Sequence, residues 1–293
     1  MDACQLRLPP RLVGVAVKFS SPQAVSLGRR VADALLRRGV EVMPDAESAA
    51  VLGLPGGPPR SELGRAVDLV VVVGGDGTFL SAAHGCPAST PVAGINMGTL
   101  GFLTEHPSDR ADDFIEDVLA GRVELQRRDR LEVRVGDGEA GEPFLVLNDV
   151  VINKAALARM IAINVEVAEE HLSLYRADGL ILSTPTGSTA YNLSAGGPIV
   201  HPGLAAVVIT PICPHTLSNR PLVIPSGLEV AVRLVRGDEG VYLTLDGQQG
   251  LPLRAGPRVR VRVADEPLWV VRDRNASFFS TLHHKLKWGE REG

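Results

Sequence analysis

The chain has 293 residues, 45% of them hydrophobic, with a formal net charge of −4. That length is enough for a sizeable core in about two domains, and the acidic balance without a basic stripe argues against a nucleic-acid partner. The longest apolar runs fall far short of the ~18 residues of a membrane span, and "MDACQLRLPPRLVG", with Asp2 and Pro9-Pro10, lacks the unbroken apolar stretch of a signal peptide.

"LVGVAVKF" predicts a strand, and "SPQAVSLGRRVADALLRRG" has apolar residues at helical spacing with Gly39 as its stop; "VEVM" begins a second strand. The loop "GLPGGPP" follows, then the strands "LVVVV" and "PVAGIN". This is the rhythm of a parallel sheet wrapped by helices. "SDRADDFIEDVLAGR" predicts a helix with Ser108 as N-cap and Gly121 as C-cap. From about Leu125 the period changes to two, in "LEVRV", "AINVEVAEE", "LEVAVRLV", "VYLTLDG", "RVRVRVAD" and "LWVVR", separated by Gly, Asp and Pro turns. The tail "NASFFSTLHHKLKWG" returns to helical spacing, with Phe278, Leu282 and Leu286 on one face. The expected fold is therefore a Rossmann-like α/β domain (1–124), with 274–293 packing back on it, and a mostly antiparallel β domain (125–273). Cys4, Cys86 and Cys213 are far apart with no C-x-x-C pair, too few for a zinc site, and suit a reducing cytoplasm.

"LVVVVGGDGTFL", Leu69 to Leu80, ends an apolar strand in three glycines around one aspartate. Glycines there leave backbone N–H groups free to converge on phosphate oxygens, and a following helix start adds partial positive charge. Gly74, Gly75, Gly77 and Thr78 are thus candidate phosphate-donor contacts. Asp76 would repel that anion unless it helps hold Mg²⁺ or accepts a proton from an attacking hydroxyl; the plainer alternative is that it caps a helix running from Thr78. No P-loop pattern occurs, and "GDGEAG", Gly136 to Gly141, reads as a hairpin because it opens no helix.

In "FLVLNDVVIN", Asn148 and Asp149 interrupt two apolar half-strands, so they mark a strand end or reach a ligand, and the pair suits the vicinal hydroxyls of a ribose. "YRADGLILSTPTGSTAYNLSAGGP" reads as a strand, a turn at Gly187, an N-cap at Ser188 or Thr189, and a short helix stopped by Gly196-Gly197. It offers hydroxyls to a polar ligand and Tyr191 as a face for a base; equally it is a Ser/Thr-rich connection. Arg176 and Asp178 look like a surface pair, and "LDGQ", Asp246 to Gln248, like a tight turn. His283, His284, Lys285 and Lys287 read as a solvated helix face.

Taken together, "GGDGTFL", "GINMGTLGFL", "LNDVV", "YRADGLILSTPTGSTAYNLSAGGP", "ITPICPHTLSNRPLVIP" and "LDGQ" resemble the NAD kinases. The turn "GGDGT" alone is shared in similar form by lipid kinases and phosphofructokinases. The resemblance implies an α/β domain, a β-rich domain, a substrate cleft between them, and transfer of the terminal phosphoryl group of ATP, with Mg²⁺, to the 2′-hydroxyl of the adenosine ribose of NAD. It implies that Asp76 is catalytic, orienting that hydroxyl and taking its proton late, with Gly77 beside the ligand. Asn148 and Asp149 would hold ribose hydroxyls, and Arg159, Arg176 and Asp178 would line the dinucleotide site. Thr189, Ala190, Tyr191, Asn192, Leu193 and Ser194 would hold the adenosine, and Gln248 would close the pocket; Phe102 is a weaker candidate. Mg²⁺ would be held through the substrate phosphates, with Asp76 its one protein candidate. The implied partners are NAD and ATP, with no membrane, in a cytoplasmic homo-oligomer, and "RVRVRVAD" is a candidate edge for pairing. Asp149 stands where relatives more often have glutamate and His84 where they often have arginine, while a basic residue at 176 goes with NAD over NADH. Two alternatives stay open at this point, a lipid kinase of the diacylglycerol or sphingosine type and a non-catalytic NAD-binding sensor.

Overall fold

The computed structural model describes residues 9–98, 100–136, 142–155, 159–216, 218–236, 240–274 and 276–288. The chain divides into two compact units, Met1–Arg127 with Leu268–Gly293, and Arg128–Pro267.

In the first unit, the strand Leu69–Val73 is apolar along both faces and wholly buried. A strand with no polar face must be covered on both sides, which a helix-flanked parallel sheet achieves. It runs parallel to Leu12–Val17 on one side and Val92–Asn96 on the other. The full sheet order is Glu41–Pro44, Leu12–Val17, Leu69–Val73, Val92–Asn96, Leu268–Arg272, Glu124–Arg128, with the short His106–Pro107 also paired to Val92–Asn96. Helix Pro22–Arg37 starts where Ser21 Oγ accepts the Ala24 N–H at 3.3 Å and Pro22 presets the first turn. It buries Leu27, Val31 and Leu35 in the core, and the chain leaves it through Gly39 at φ 76°.

Two sequence expectations are corrected in this unit. Ser108 does not cap the following helix: it begins a 3₁₀ turn, Ser108–Arg110, and the α-helix spans Ala111–Leu119 with no side-chain cap. That turn leaves the Ser108 hydroxyl a full turn upstream of the donors it was expected to meet. "LWVVR" is not an antiparallel strand of the β domain; Leu268–Arg272 runs parallel beside Val92–Asn96, with Val270 opposite Val92. Its alternation is superficial, because the run is apolar throughout Leu268–Val271, with Leu268, Val270 and Val271 buried and only Trp269 half-buried. Helix Phe278–Leu286 belongs to the same unit; Leu282 is buried and the Phe278 ring lies 6.3 Å from that of Phe102.

The second unit holds two six-stranded antiparallel sheets. One is ordered Glu170–Ala177, Ile161–Val167, Val230–Arg236, Arg258–Val263, Leu131–Val135, Phe144–Val146; the other Leu222–Pro225, Ala206–Ile212, Gly179–Ser183, Asp149–Lys154, Val241–Leu245, Gln249–Pro252. Alternate residues of both, among them Ile163, Val232 and Val261 from the first and Ile152, Leu180 and Leu243 from the second, form a single apolar cluster. The strand of "RVRVRVAD" is not an edge: it is flanked by Val230–Arg236 and Leu131–Val135. The expected hairpin at "GDGEAG" lies, beyond Gly136, outside the described residues. Among the described residues no helix is long and apolar enough to cross a membrane. Ile163, fully buried in the middle of this cluster, sets a test of the packing: Ile163→Ala lowers unfolding stability by about 2–5 kcal/mol, read from the denaturant midpoint at unchanged m-value.

Candidate active site

The strand Leu69–Val73 delivers its chain to Gly74 and Gly75, and helix Asp76–Ala83 begins at once with Gly75 as N-cap and no side-chain cap. The helix-capping alternative for Asp76 is therefore not what the structure shows, since Asp76 is already the first helical residue. A Cβ on Gly75 or Gly77 would meet no protein atom within 4 Å. Packing does not demand these two glycines, so their effect is to leave bare peptide at a helix N-terminus, as an anion would require.

The Asp76 carboxylate is bound to a neighbouring loop. Its Oδ2 accepts the Phe102 N–H at 3.0 Å, and its Oδ1 accepts the Leu103 N–H at 3.1 Å, the Thr104 N–H at 3.2 Å and the Thr104 hydroxyl at 3.1 Å. Gly101 permits this approach, because a Cβ there would collide with Asp76 Oδ1 and Thr104 Oγ1. Asn96 holds the same loop from the other side, donating to Thr104 O at 3.2 Å and accepting from Gly98 N at 3.1 Å. Phe102 thus meets Asp76 through its backbone. His84 lies past the other end of this helix.

In the second unit, Asn148 and Asp149 sit where the strand Asp149–Lys154 begins. Every peptide group around them is bonded. The Leu147, Asn148 and Asp149 N–H groups all donate to the Asp246 carboxylate, at 2.9, 2.6 and 3.2 Å. The Leu147 carbonyl accepts from the Thr184 hydroxyl at 2.6 Å, the Asn148 carbonyl from Thr184 N at 2.9 Å and Ser183 Oγ at 3.2 Å, and the Asp149 carbonyl from Asp246 N at 3.0 Å. The two side chains stand apart from this network. Asn148 Oδ1 is buried without a hydrogen-bond partner among the described residues. Asp149 is 4% exposed, and none of the described residues hydrogen-bonds its carboxyl. Burial first, and then the charge of Asp246, raises the Asp149 pKa to about 7.

The segment after strand Gly179–Ser183 has hydroxyls that largely face inward. Ser188 is buried, donates to Pro185 O at 2.6 Å and accepts the Val200 N–H at 2.9 Å, so it holds the loop closed and does not cap a helix. The helical part is a 3₁₀ turn, Gly187–Thr189, then Tyr191–Ser194, with Gly196 at φ 83°. Asn192 is fully buried: its amide donates to Ser188 O and Pro198 O, both at 3.0 Å, and accepts the Thr210 hydroxyl at 2.6 Å. Thr189, Ala190 and Leu193 are half-buried, whereas Tyr191, at 43% exposed, and Ser194 face outward. Sequence spacing alone had not separated Asn192 from its neighbours.

Arg159 and Arg176 line a groove of about 510 Å³ on the outer side of the first antiparallel sheet, together with Met160, Leu174, Val235 and Arg236. The register explains it: Arg176 and Arg236 lie on either side of the small Ala162 in adjacent strands. None of the three arginines has an acidic partner among the described residues. Arg236 was missed in the sequence because only strand pairing brings it beside Arg176. Asp178 does not pair with Arg176; it meets Lys154 Nζ at 3.5 Å. Gln248 is exposed, just after a turn in which Asp246 and Gly247 have φ of 52° and 64°.

The ionisation of Asp149 gives a direct test. Its acid form is favoured in the folded state and not in the unfolded chain, so the native protein loses stability as pH rises from about 4 to about 7. Asp149→Asn removes that loss, and its melting temperature exceeds that of the wild type above pH 7 but converges with it near pH 4, which differential scanning calorimetry across that range checks.

Comparison with known proteins agrees with the geometry. Residues 59–123 match the family model described as ATP-NAD kinase N-terminal domain, and residues 147–272 the ATP-NAD kinase C-terminal domain. The chain is 45% identical over 281 residues to the NAD kinase of Geobacter sulfurreducens, covering 95% of this chain and 99% of that protein, and 44% identical over 283 residues to that of Syntrophotalea carbinolica, with the same coverage. Yeast NADH kinase complexed with NADH superposes with a TM-score of 0.87 at 26% identity, covering 96% of this chain and 89% of that one. An NAD kinase from Archaeoglobus fulgidus in complex with ATP gives 0.76 at 25% identity, covering 93% and 99%. Neither a lipid kinase nor a binding-only sensor finds support among these relatives.

Proposed function

Because the chain belongs to the NAD kinase family, we propose that Asp76 of the first unit carries its chemistry and that the Asn148–Asp149 pair of the second carries its recognition of substrate. The chain is a phosphotransferase acting on a hydroxyl group of NAD, with ATP as phosphoryl donor. The observation that carries the site reading is the pair itself: an amide oxygen and a buried carboxyl, on successive residues of a fully bonded backbone, neither with a hydrogen-bond partner among the described residues. Burying two such groups is unfavourable unless a ligand supplies donors, and two adjacent ribose hydroxyls do so.

In this reading Asn148 and Asp149 hold the adenosine ribose, and its 2′-hydroxyl is the acceptor. Tyr191 presents its ring to the base, with Thr189, Ala190, Leu193 and Ser194 around it and Asn192 holding the loop in shape. Arg159, Arg176 and Asp178 serve the rest of the dinucleotide, Arg236 adds a third cation, and Gln248 closes the pocket. Gly74, Gly75, Gly77 and Thr78 serve the donor phosphates.

Asp76 orients the attacking hydroxyl. A carboxylate is a far weaker base than an alkoxide, so in a loose phosphoryl-transfer transition state it receives the proton late, and positioning carries most of the acceleration. Its bonds to Phe102, Leu103 and Thr104 supply that positioning: three donors converge on Oδ1 and only one on Oδ2, which leaves Oδ2 with acceptor capacity for a hydroxyl. Among the described residues no group of three or more His, Cys, Asp or Glu could hold a metal ion. Mg²⁺ fits as an ion carried by the phosphates with Asp76 Oδ2 within the protein's means to reach it, and it would neutralise charge on the transferred group. In the same proposal the enzyme works in the cytoplasm as a homo-oligomer, a reading supported by the outer strands Leu222–Pro225 and Glu170–Ala177, whose edges are open to pairing.

Purified protein given NAD, ATP and Mg²⁺ forms NADP, detected with an NADP-specific dehydrogenase. Asp76→Asn keeps the Oδ1 bonds to Leu103 and Thr104 and removes the acceptor at Oδ2, so it lowers kcat by at least ~100-fold; near-normal turnover would remove Asp76 from the mechanism. NAD is the better substrate than NADH, and Arg176→Gln narrows that preference in side-by-side kcat/KM measurements.

A further inference from the structure

Asp246 is hydrogen-bonded to Leu147, Asn148 and Asp149 through their backbone. The residue is 7% exposed and has φ of 52°, a left-handed conformation that aspartate and asparagine tolerate better than most residues. This conformation turns its carboxylate back over the start of the neighbouring strand. There it accepts three successive peptide N–H groups, from Leu147, Asn148 and Asp149, while its own N–H donates to the Asp149 carbonyl. Two of those peptides belong to the residues whose side-chain groups, Asn148 Oδ1 and the Asp149 carboxyl, have no hydrogen-bond partner among the described residues.

We propose that Asp246 is a positioning residue for the ribose: its carboxylate fixes the peptide planes from which Asn148 and Asp149 project, and so presets the spacing of the two acceptors for a vicinal diol. This rests on the reading of Asn148 and Asp149 as the ribose pair. The role carries an electrostatic consequence. Asp246 is the one charged group found to act on Asp149; Ser183 and Thr184, from the strand on the other side, are neutral. The same carboxylate that aims Asp149 therefore also makes its ionisation harder, and binding through the ionised form falls away as pH drops through about 7.

The test is Asp246→Asn beside Asp246→Gly. Both residues accept the left-handed backbone; asparagine retains one acceptor oxygen and glycine none. Steady-state kinetics for NAD across pH 5.5–9 (roughly the range that brackets this ionisation), with melting temperatures recorded alongside, separate positioning from mere stabilisation. Expected is a rise in KM for NAD of about tenfold in Asp246→Asn and more in Asp246→Gly, the loss that one to two hydrogen bonds to a charged acceptor represent, with kcat changed far less. The acid limb of kcat/KM moves to lower pH in both variants, by about one unit, as a like charge is removed from beside Asp149. A lower melting temperature with KM and the acid limb unmoved would overturn the proposal, because a purely structural carboxylate gives that result. Loss of the acid limb in Asp149→Asn identifies the limb with Asp149; if the wild type showed no NAD-dependent turnover at all, it is the ribose reading itself that would fall.

Discussion

A buried peptide N–H must find an acceptor, and outside regular secondary structure the backbone offers few. Each unit meets that demand in the same way around its candidate residues. Asp76 takes the N–H groups of Phe102, Leu103 and Thr104; Asp246 takes those of Leu147, Asn148 and Asp149. One carboxylate collecting three successive amides acts as a short substitute for a strand, holding an irregular segment as firmly as a ladder would. The two arrangements differ in which partner is on display. In the first unit the aspartate that collects the amides is the candidate for chemistry, whereas in the second the amides belong to the candidates for binding the ligand.

The contrast sets the electrostatics. Asp76 lies at the start of a helix, where the macrodipole favours a negative charge. Asp149 is buried beside another carboxylate, and its acid is held near neutrality. An unpartnered amide oxygen and a carboxyl in that setting are a standing disadvantage to the folded state, of the kind that persists at sites where recognition needs it. An aspartate side chain is short, so where the Asp149 carboxyl lies is set closely by its backbone, which makes the bonding of residues 147–149 the more consequential.

Much of this was legible in the sequence, and the failures have physical causes. The glycine turn was readable because it sets three glycines in four positions, two of which, Gly75 and Gly77, no packing demands, and the parallel sheet because "LVVVV" has no polar side. "LWVVR" misled because one tryptophan makes a buried run look alternating. Asp246 looked like any turn aspartate, since nothing local says that its carboxylate reaches residues about a hundred positions earlier. Asn192 read as a ligand contact because it lies between Tyr191 and Ser194, and only its three internal hydrogen bonds show that it faces inward. Arg236 was invisible for the opposite reason, since its neighbour across Ala162 is fixed by strand register and not by spacing along the chain.

The return of Leu268–Arg272 to the first sheet has a consequence for how the chain is made. The strand pairs in parallel with Val92–Asn96, and its order in the sheet places Glu124–Arg128 beyond it. During synthesis the first sheet therefore lacks the strand between Val92–Asn96 and its outermost strand until Leu268–Arg272 leaves the ribosome, and the Val92–Ala93 part of that edge stays open to wrong pairing. The second unit is continuous, Arg128–Pro267, and can close its apolar cluster as soon as it has emerged. Of the two units, the inserted one is therefore complete in sequence before the one that surrounds it.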